Sequence, residues 1–211
     1  METSVKFSDC SCEYLEKQFG LISLRTHNAL ENWQKIAVTV DINELNKTVI
    51  TQFQEILLDN VSSWNEIELI EYFIGPILSL VNFNTKKFKI FSERKVQSVV
   101  EGVELYGEPD ALIATGRWRP ELPYFCLNEY KRQEENKGDA AGQALAAMLV
   151  AQELTEHKFP IYGIYVVGKY WNFMVLQNKD YCISKTYNAD DEEIFDIFKM
   201  LKALKEIILS Y

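Results

Sequence analysis

Apolar and polar positions alternate with period two through Tyr124–Lys131, and an almost unbroken apolar run fills Ala111–Thr115. The first pattern predicts a strand with Phe125, Leu127, Glu129 and Lys131 on one face; the second predicts a neighbouring strand that Asp110 opens. Residues 116–123 contain Gly116, Pro120 and Pro123, a turn composition that predicts antiparallel pairing of the two strands. The 18 residues between Asp110 and Glu129 suffice for one strand out, the loop and most of a strand back, so both acids are expected at the same end.

Helical periodicity flanks this pair. Over 64–81, Ile67, Ile70, Ile74, Ile77, Leu78 and Val81 recur at helical spacing. At about 100° per residue, Glu71 falls roughly 40° from Ile67, on the edge of the apolar face. Gly75-Pro76 predicts a kink, since proline removes an internal hydrogen bond. Asp139 is a suitable N-cap for a helix over 140–154, where Gln143, Ala147, Val150 and Leu154 share a face and small alanines allow close packing on a sheet.

Further strands are predicted at 161–167, 171–176 and 181–184, with turns at Gly168-Lys169 and Asn178–Asp180. Trp171 and Phe173 share a face and suit core packing better than base stacking. Residues 190–211 carry Ile194, Phe195, Phe198, Leu201, Leu204 and Ile208 at amphipathic spacing, a helix to cover the sheet. Residues 42–58 also predict a helix, while Lys35–Val40 suits either a short strand or a helix end. Residues 1–63 therefore read as a mostly helical extension capping a core at 64–211, or equally as an oligomer interface.

An apolar stripe that ends in an acid and a lysine predicts a strand packed in the core at its start and lining a cleft at its end. Pro109, Asp110, Glu129 and Lys131 together resemble the PD-(D/E)XK nuclease superfamily. The resemblance implies an α/β fold with a restriction-endonuclease-like core: a helix, a three-stranded antiparallel meander, a second helix and further strands. It also implies a Mg²⁺- or Mn²⁺-dependent nuclease in which Asp110, Glu129 and the Tyr130 carbonyl hold the ion and Lys131 orients the attacking water. In many members a helix acid joins the metal site, and Glu71 is the matching position, although it equally suits a boundary carboxylate that reaches solvent or a nearby lysine. Gln143 is the counterpart of a glutamine that helps organise the site in some branches; a solvent-facing or capping role fits it as well.

Composition adjusts this picture. At 211 residues and 47% hydrophobic, the chain can bury a sizeable core, and no stretch approaches a membrane span, so a soluble cytoplasmic protein is expected. The four cysteines form no zinc pattern, only two histidines are present, and no Walker or dinucleotide-binding glycine motif occurs. The net charge of −9 opposes a phosphate backbone, yet it is unevenly spread: −7 over 1–83, +1 over 84–137 and −3 over 138–211. Lys86, Lys87, Lys89, Arg94, Lys95, Arg117, Arg119, Arg132 and Lys137 are available in the central segment for a basic rim, and Glu134–Gly138 reads as a solvated loop placed to touch substrate. The expected partner is nucleic acid, DNA in preference to RNA, with modest salt-dependent affinity. The acidic remainder also suits a protein partner or a homo-oligomer, and the alternative function is a catalytically silent nuclease-fold subunit of a defence or repair complex.

Overall fold

Side-chain caps set where the helices begin. Ser11, Asn43, Asn65 and Asp139 each accept a backbone N–H from the first turn that follows, and at Asn65 the Glu68 carboxylate reciprocates to complete a capping box. The computed structural model describes residues 3–133 and 138–211. Of the loop expected at 134–138, all but Gly138 lies outside the described residues.

In chain order, β1 (Thr3–Lys6), a 3-10 turn (Phe7–Asp9), α1 (Cys12–Phe19) and β2 (Ile22–Leu24) are followed by α2 (Asn28–Thr39) and α3 (Glu44–Asn60). A single helical run then passes through α4 (Glu66–Leu69), a π turn (Ile70–Ile74) and α5 (Gly75–Val81). Strands β3 (Lys89–Ser92), β4 (Val96–Val100), β5 (Val103–Gly107), β6 (Ala111–Thr115) and β7 (Glu121–Lys131) precede α6 (Ala140–Leu154). The chain ends with β8 (Ile161–Val167), β9 (Tyr170–Gln177), β10 (Asp180–Ile183), β11 (Tyr187–Asn188) and α7 (Glu193–Ser210).

The large sheet has the order β2-β10-β9-β8-β7-β6-β3, with β11 paired to β9. Strands β3, β6 and β7 are mutually antiparallel neighbours; α6 then carries the chain to β8, which lies parallel to β7. A second sheet, β1-β5-β4, forms where β4 and β5 leave the meander and pair with the start of the chain. The N-terminal segment, expected as a helical extension ending at residue 63, thus supplies β1 to one sheet and β2 to the other. Packing is continuous across that boundary.

Two hydrophobic cores lie on the two faces of the large sheet. One joins Ile113, Tyr130, Ile164 and Phe173 to α2, α5 and α7; the other joins Leu112, Leu127 and Met174 to α6, α1 and the small sheet. Helix α6 is sandwiched between the sheets and buried nearly all round, which explains its alanine-rich, evenly apolar sequence. Trp171 and Phe173 are core residues. The alternation predicted for β7 holds from Cys126 onwards, but a register shift against β6 falls at Phe125, which packs in the opposite core from Leu127.

The expected kink at Gly75-Pro76 is realised as the π turn. Pro76 has no N–H to offer the carbonyl four residues back, and the Gly75 N–H reaches instead to Ile70 O, five residues away. A Cβ on Gly75 would stand 2.8 Å from that oxygen, so glycine is what allows the tight passage. Among the described residues, no helix is long and apolar enough to cross a membrane.

Candidate active site

Asp110 precedes β6, and Glu129 and Lys131 end β7, so the register Ala111↔Asn128 brings all three to one end of the strand pair. Asp110 Oδ2 accepts the Tyr130 N–H at 2.6 Å, extending the β6–β7 ladder by a side chain where backbone pairing stops. A strand residue directs its N–H and C=O to the same edge. The Tyr130 carbonyl therefore lies on the Asp110 side, beyond the last β6 partner. Glu129 and Lys131 share the α6-facing side of the sheet, with Lys131 Nζ 2.8 Å from Glu129 Oε1.

Lys131 has a second acid beside it. Glu66 Oε2, in the first turn of α4, is 3.5 Å from Lys131 Nζ, whereas Glu71 is exposed in a hollow beside Trp64, Tyr72 and Pro76. The expectation for Glu71 took Ile67 as buried, but Ile67 is 72% exposed, and the buried face is Leu69, Phe73, Ile74, Ile77 and Leu78. The extra residue of the π turn rotates the start of the helix by about 100° relative to an uninterrupted one. That rotation is invisible to a constant-period reading.

Asp110, Glu129, Lys131 and Gln143 line one cavity of about 570 Å³. Gln143 is only 7% exposed in the first turn of α6; its backbone N–H donates to Asp139 O, while its side-chain amide makes no hydrogen bond to another described residue. The chain passes close above its amide at Gly138, where φ is +83° and a Cβ would lie 2.7 Å from Nε2. The remaining lining was not anticipated: Lys6, Phe7 and Ser8 from the start of the chain, and Lys95, Tyr106 and Glu108 from around β4 and β5. Of the basic rim, Lys95 reaches this cavity. Arg117 and Arg119 sit in the β6–β7 loop, at the opposite end of the strands from Asp110.

Burial and mutual repulsion define the electrostatics. The Asp110 carboxyl is raised to about 7, by burial first and then by the charges of Glu129 and Glu66, against the pull of the Tyr130 N–H and Lys131. Glu129 is also raised, by burial first, with the charge and hydrogen bond of Lys131 opposing. For Lys131, burial acts to lower the pKa, but Glu129, Glu66 and Asp110 outweigh it and the ammonium is held above its ordinary value. Lys131 is thus a cation throughout the neutral range, between carboxylates that resist being charged together.

Among the described residues, no group of three or more His, Cys, Asp or Glu side chains is arranged as a metal cluster. The donor set here is smaller: one buried carboxylate (Glu129), one half-buried carboxylate (Asp110) and one strand-edge carbonyl. Hard divalent ions such as Mg²⁺ are commonly held by one or two carboxylates with water completing the shell, so this set suits such an ion. All four cysteines are free, and Cys10, Cys126 and Cys182 are buried as small apolar side chains. No protein-family model and no curated protein matches the chain, so the chemistry of the site is argued from its own residues.

Proposed function

We propose that this protein is a divalent-metal-dependent nuclease of the PD-(D/E)XK type, hydrolysing phosphodiester bonds in nucleic acid, with DNA the favoured substrate. The observation that carries the reading is the convergence of Asp110, Glu129 and Lys131 on one cavity, with Asp110 fixed to the Tyr130 N–H. The order of elements supports it: a helix, three antiparallel strands, a second helix and a strand returning parallel to β7.

In this reading Asp110, Glu129 and the Tyr130 carbonyl hold Mg²⁺ or Mn²⁺. When bound, such an ion supplies Lewis-acid stabilisation of the phosphoryl charge and an acidified water. Lys131, kept protonated by Glu129 and Glu66, donates Nζ–H groups to the attacking oxygen and to the phosphoryl oxygen that gains charge. Glu66 is a positioning residue, acting through the Lys131 ammonium. The Gln143 amide, buried with no described partner, is free to orient a water or a phosphate oxygen. The Asp110 proton, held up to about neutrality in the ion-free site, leaves when an ion binds.

The test is cleavage of labelled single- and double-stranded DNA and RNA at low salt with Mg²⁺ or Mn²⁺, beside EDTA and Lys131→Ala controls. Metal-dependent cutting that disappears in the variant is expected. Cutting that survives Lys131→Ala overturns the assignment. Absence of cutting on every substrate transfers the weight to a catalytically silent subunit.

A further inference from the structure

The cavity has a second wall that the motif does not include. β1 pairs in parallel with β5 so that Lys6 lies beside Tyr106, and Lys95 immediately precedes β4 of the same small sheet. All three line the cavity that also holds Asp110 and Glu129. Lys6 and Lys95 are exposed, and their ammonium groups make no hydrogen bond or ion pair with another described residue, unlike that of Lys131. Tyr106 offers a half-buried ring between them.

Lys6 is held in place although it lies close to the start of the chain. The buried Phe7 ring packs on Gly107 so closely that a Cβ there would come within 2.4 Å of Phe7 Cδ2. Farther along, the Cys12 N–H donates to Asp139 Oδ2 at 2.8 Å, and a Cβ on Gly142 would meet the Ser11 backbone at 2.6 Å. The wall is thus clamped to the start of α6.

Charge and size then indicate what the wall receives. In a chain of net charge −9, the lining among the described residues balances three lysines (Lys6, Lys95, Lys131) against three acids (Glu108, Asp110, Glu129). A divalent ion on two of those acids leaves the cavity cationic, the sign that draws phosphates. At about 570 Å³ the space is that of a small-ligand pocket, in the range of roughly 300–1,000 Å³. A space of that volume takes a single nucleotide unit, with its base free of a pairing partner, more readily than a whole duplex.

We propose that the small sheet is a substrate wall selecting single-stranded nucleic acid, with Lys6 and Lys95 taking phosphates beside the scissile one and Tyr106 stacking on an unpaired base. The proposal rests on the nuclease reading for the identity of the scissile phosphate, but binding tests it separately. In a Lys131→Ala background with Mg²⁺, fluorescence anisotropy of a labelled single strand and of the matching duplex reads affinity without cutting. The single strand is expected to bind at least tenfold more tightly. Lys6→Ala with Lys95→Ala should weaken it about tenfold or more and flatten the dependence of log affinity on log salt by about 0.7 for each phosphate left without its lysine. Tyr106→Ala should weaken binding roughly fivefold, and Tyr106→Phe should restore it. Thermal melts unchanged by the lysine substitutions exclude unfolding as the cause. Equal binding of duplex, or a salt slope unchanged in the double lysine variant, overturns the wall. Cleavage lost in Lys131→Ala but unaffected in the wall variants overturns the wall alone. Single-strand binding lost in the lysine variants, with no substrate cut by the unsubstituted protein, supports the wall and overturns the nuclease reading.

Discussion

Asp110→Asn removes a carboxylate that the ion-free fold carries at a cost. The folded group titrates at about 7 against an ordinary value of 3.8. Below the ordinary value both folded and unfolded chains hold the proton, and no penalty is felt. As pH rises from about 4 to about 7 the unfolded chain releases the proton first, so stability falls throughout that window and levels off above it. At about 1.36 kcal/mol per pH unit, the full penalty is on the order of 4 kcal/mol, an upper bound that water in the open cavity reduces. Asparagine retains an oxygen to accept the Tyr130 N–H, so the ladder extension survives. The assay is urea unfolding in EDTA at pH 4, 6 and 8. The variant should exceed the unsubstituted protein by about 1–4 kcal/mol at pH 8, with the advantage shrinking towards pH 4. Added Mn²⁺ should shift the difference by about 2.7 kcal/mol towards the unsubstituted protein at a hundred times the ion's dissociation constant, a gain that Asp110→Asn forfeits. A variant no more stable than its parent at pH 8 in EDTA refutes the electrostatic account of the site.

Lys131→Met leaves the buried Glu129 without its cation and should destabilise the fold by about 2–4 kcal/mol at pH 8 and by progressively less as the pH is lowered and the raised Glu129 carboxyl takes up a proton, as measured by urea midpoints across a pH series. Glu66→Gln should lower metal-dependent cleavage and shift its pH profile by loosening the hold on Lys131, while Glu71→Gln should change neither; equal effects in the two variants would dissolve the distinction between them. Gly107→Ala forces a methyl against the Phe7 ring and should lower stability by about 1–3 kcal/mol, read as a fall in melting temperature.

The most legible parts of the chain are those whose partners lie nearby. β6, α6 and β8 have the boundaries that apolar runs, the Asp139 cap and the Gly168 turn prescribe. The Asp110–Glu129–Lys131 juxtaposition follows from one short connection between paired neighbours. What escaped needs long-range knowledge. Val103, Leu105 and Gly107 alternate with half-buried residues as a strand should, but that pattern does not say that the partner is Thr3–Lys6, about a hundred residues away. The phase of the helix over 66–81 breaks near Pro76, whose missing N–H changes the hydrogen-bond ladder, leaving Glu71 exposed and Glu66 beside Lys131. Phe125 sits at a register shift, where strict alternation no longer predicts the face.

The clamp between Cys12 and Asp139 has a consequence for how this protein is able to vary. The three residues assigned to chemistry lie within a 22-residue stretch, Asp110 to Lys131, and depend on a local strand pair. The opposing wall comes from the beginning of the chain and from the β4–β5 hairpin, joined to the rest through a separate hydrophobic core around α6. In the proposed reading, reaction and selection are therefore encoded in different stretches of sequence. Substitutions along β1 and β5 are able to alter which strands are admitted while Asp110, Glu129 and Lys131 keep their geometry, so new preferences are reachable by remodelling one small sheet.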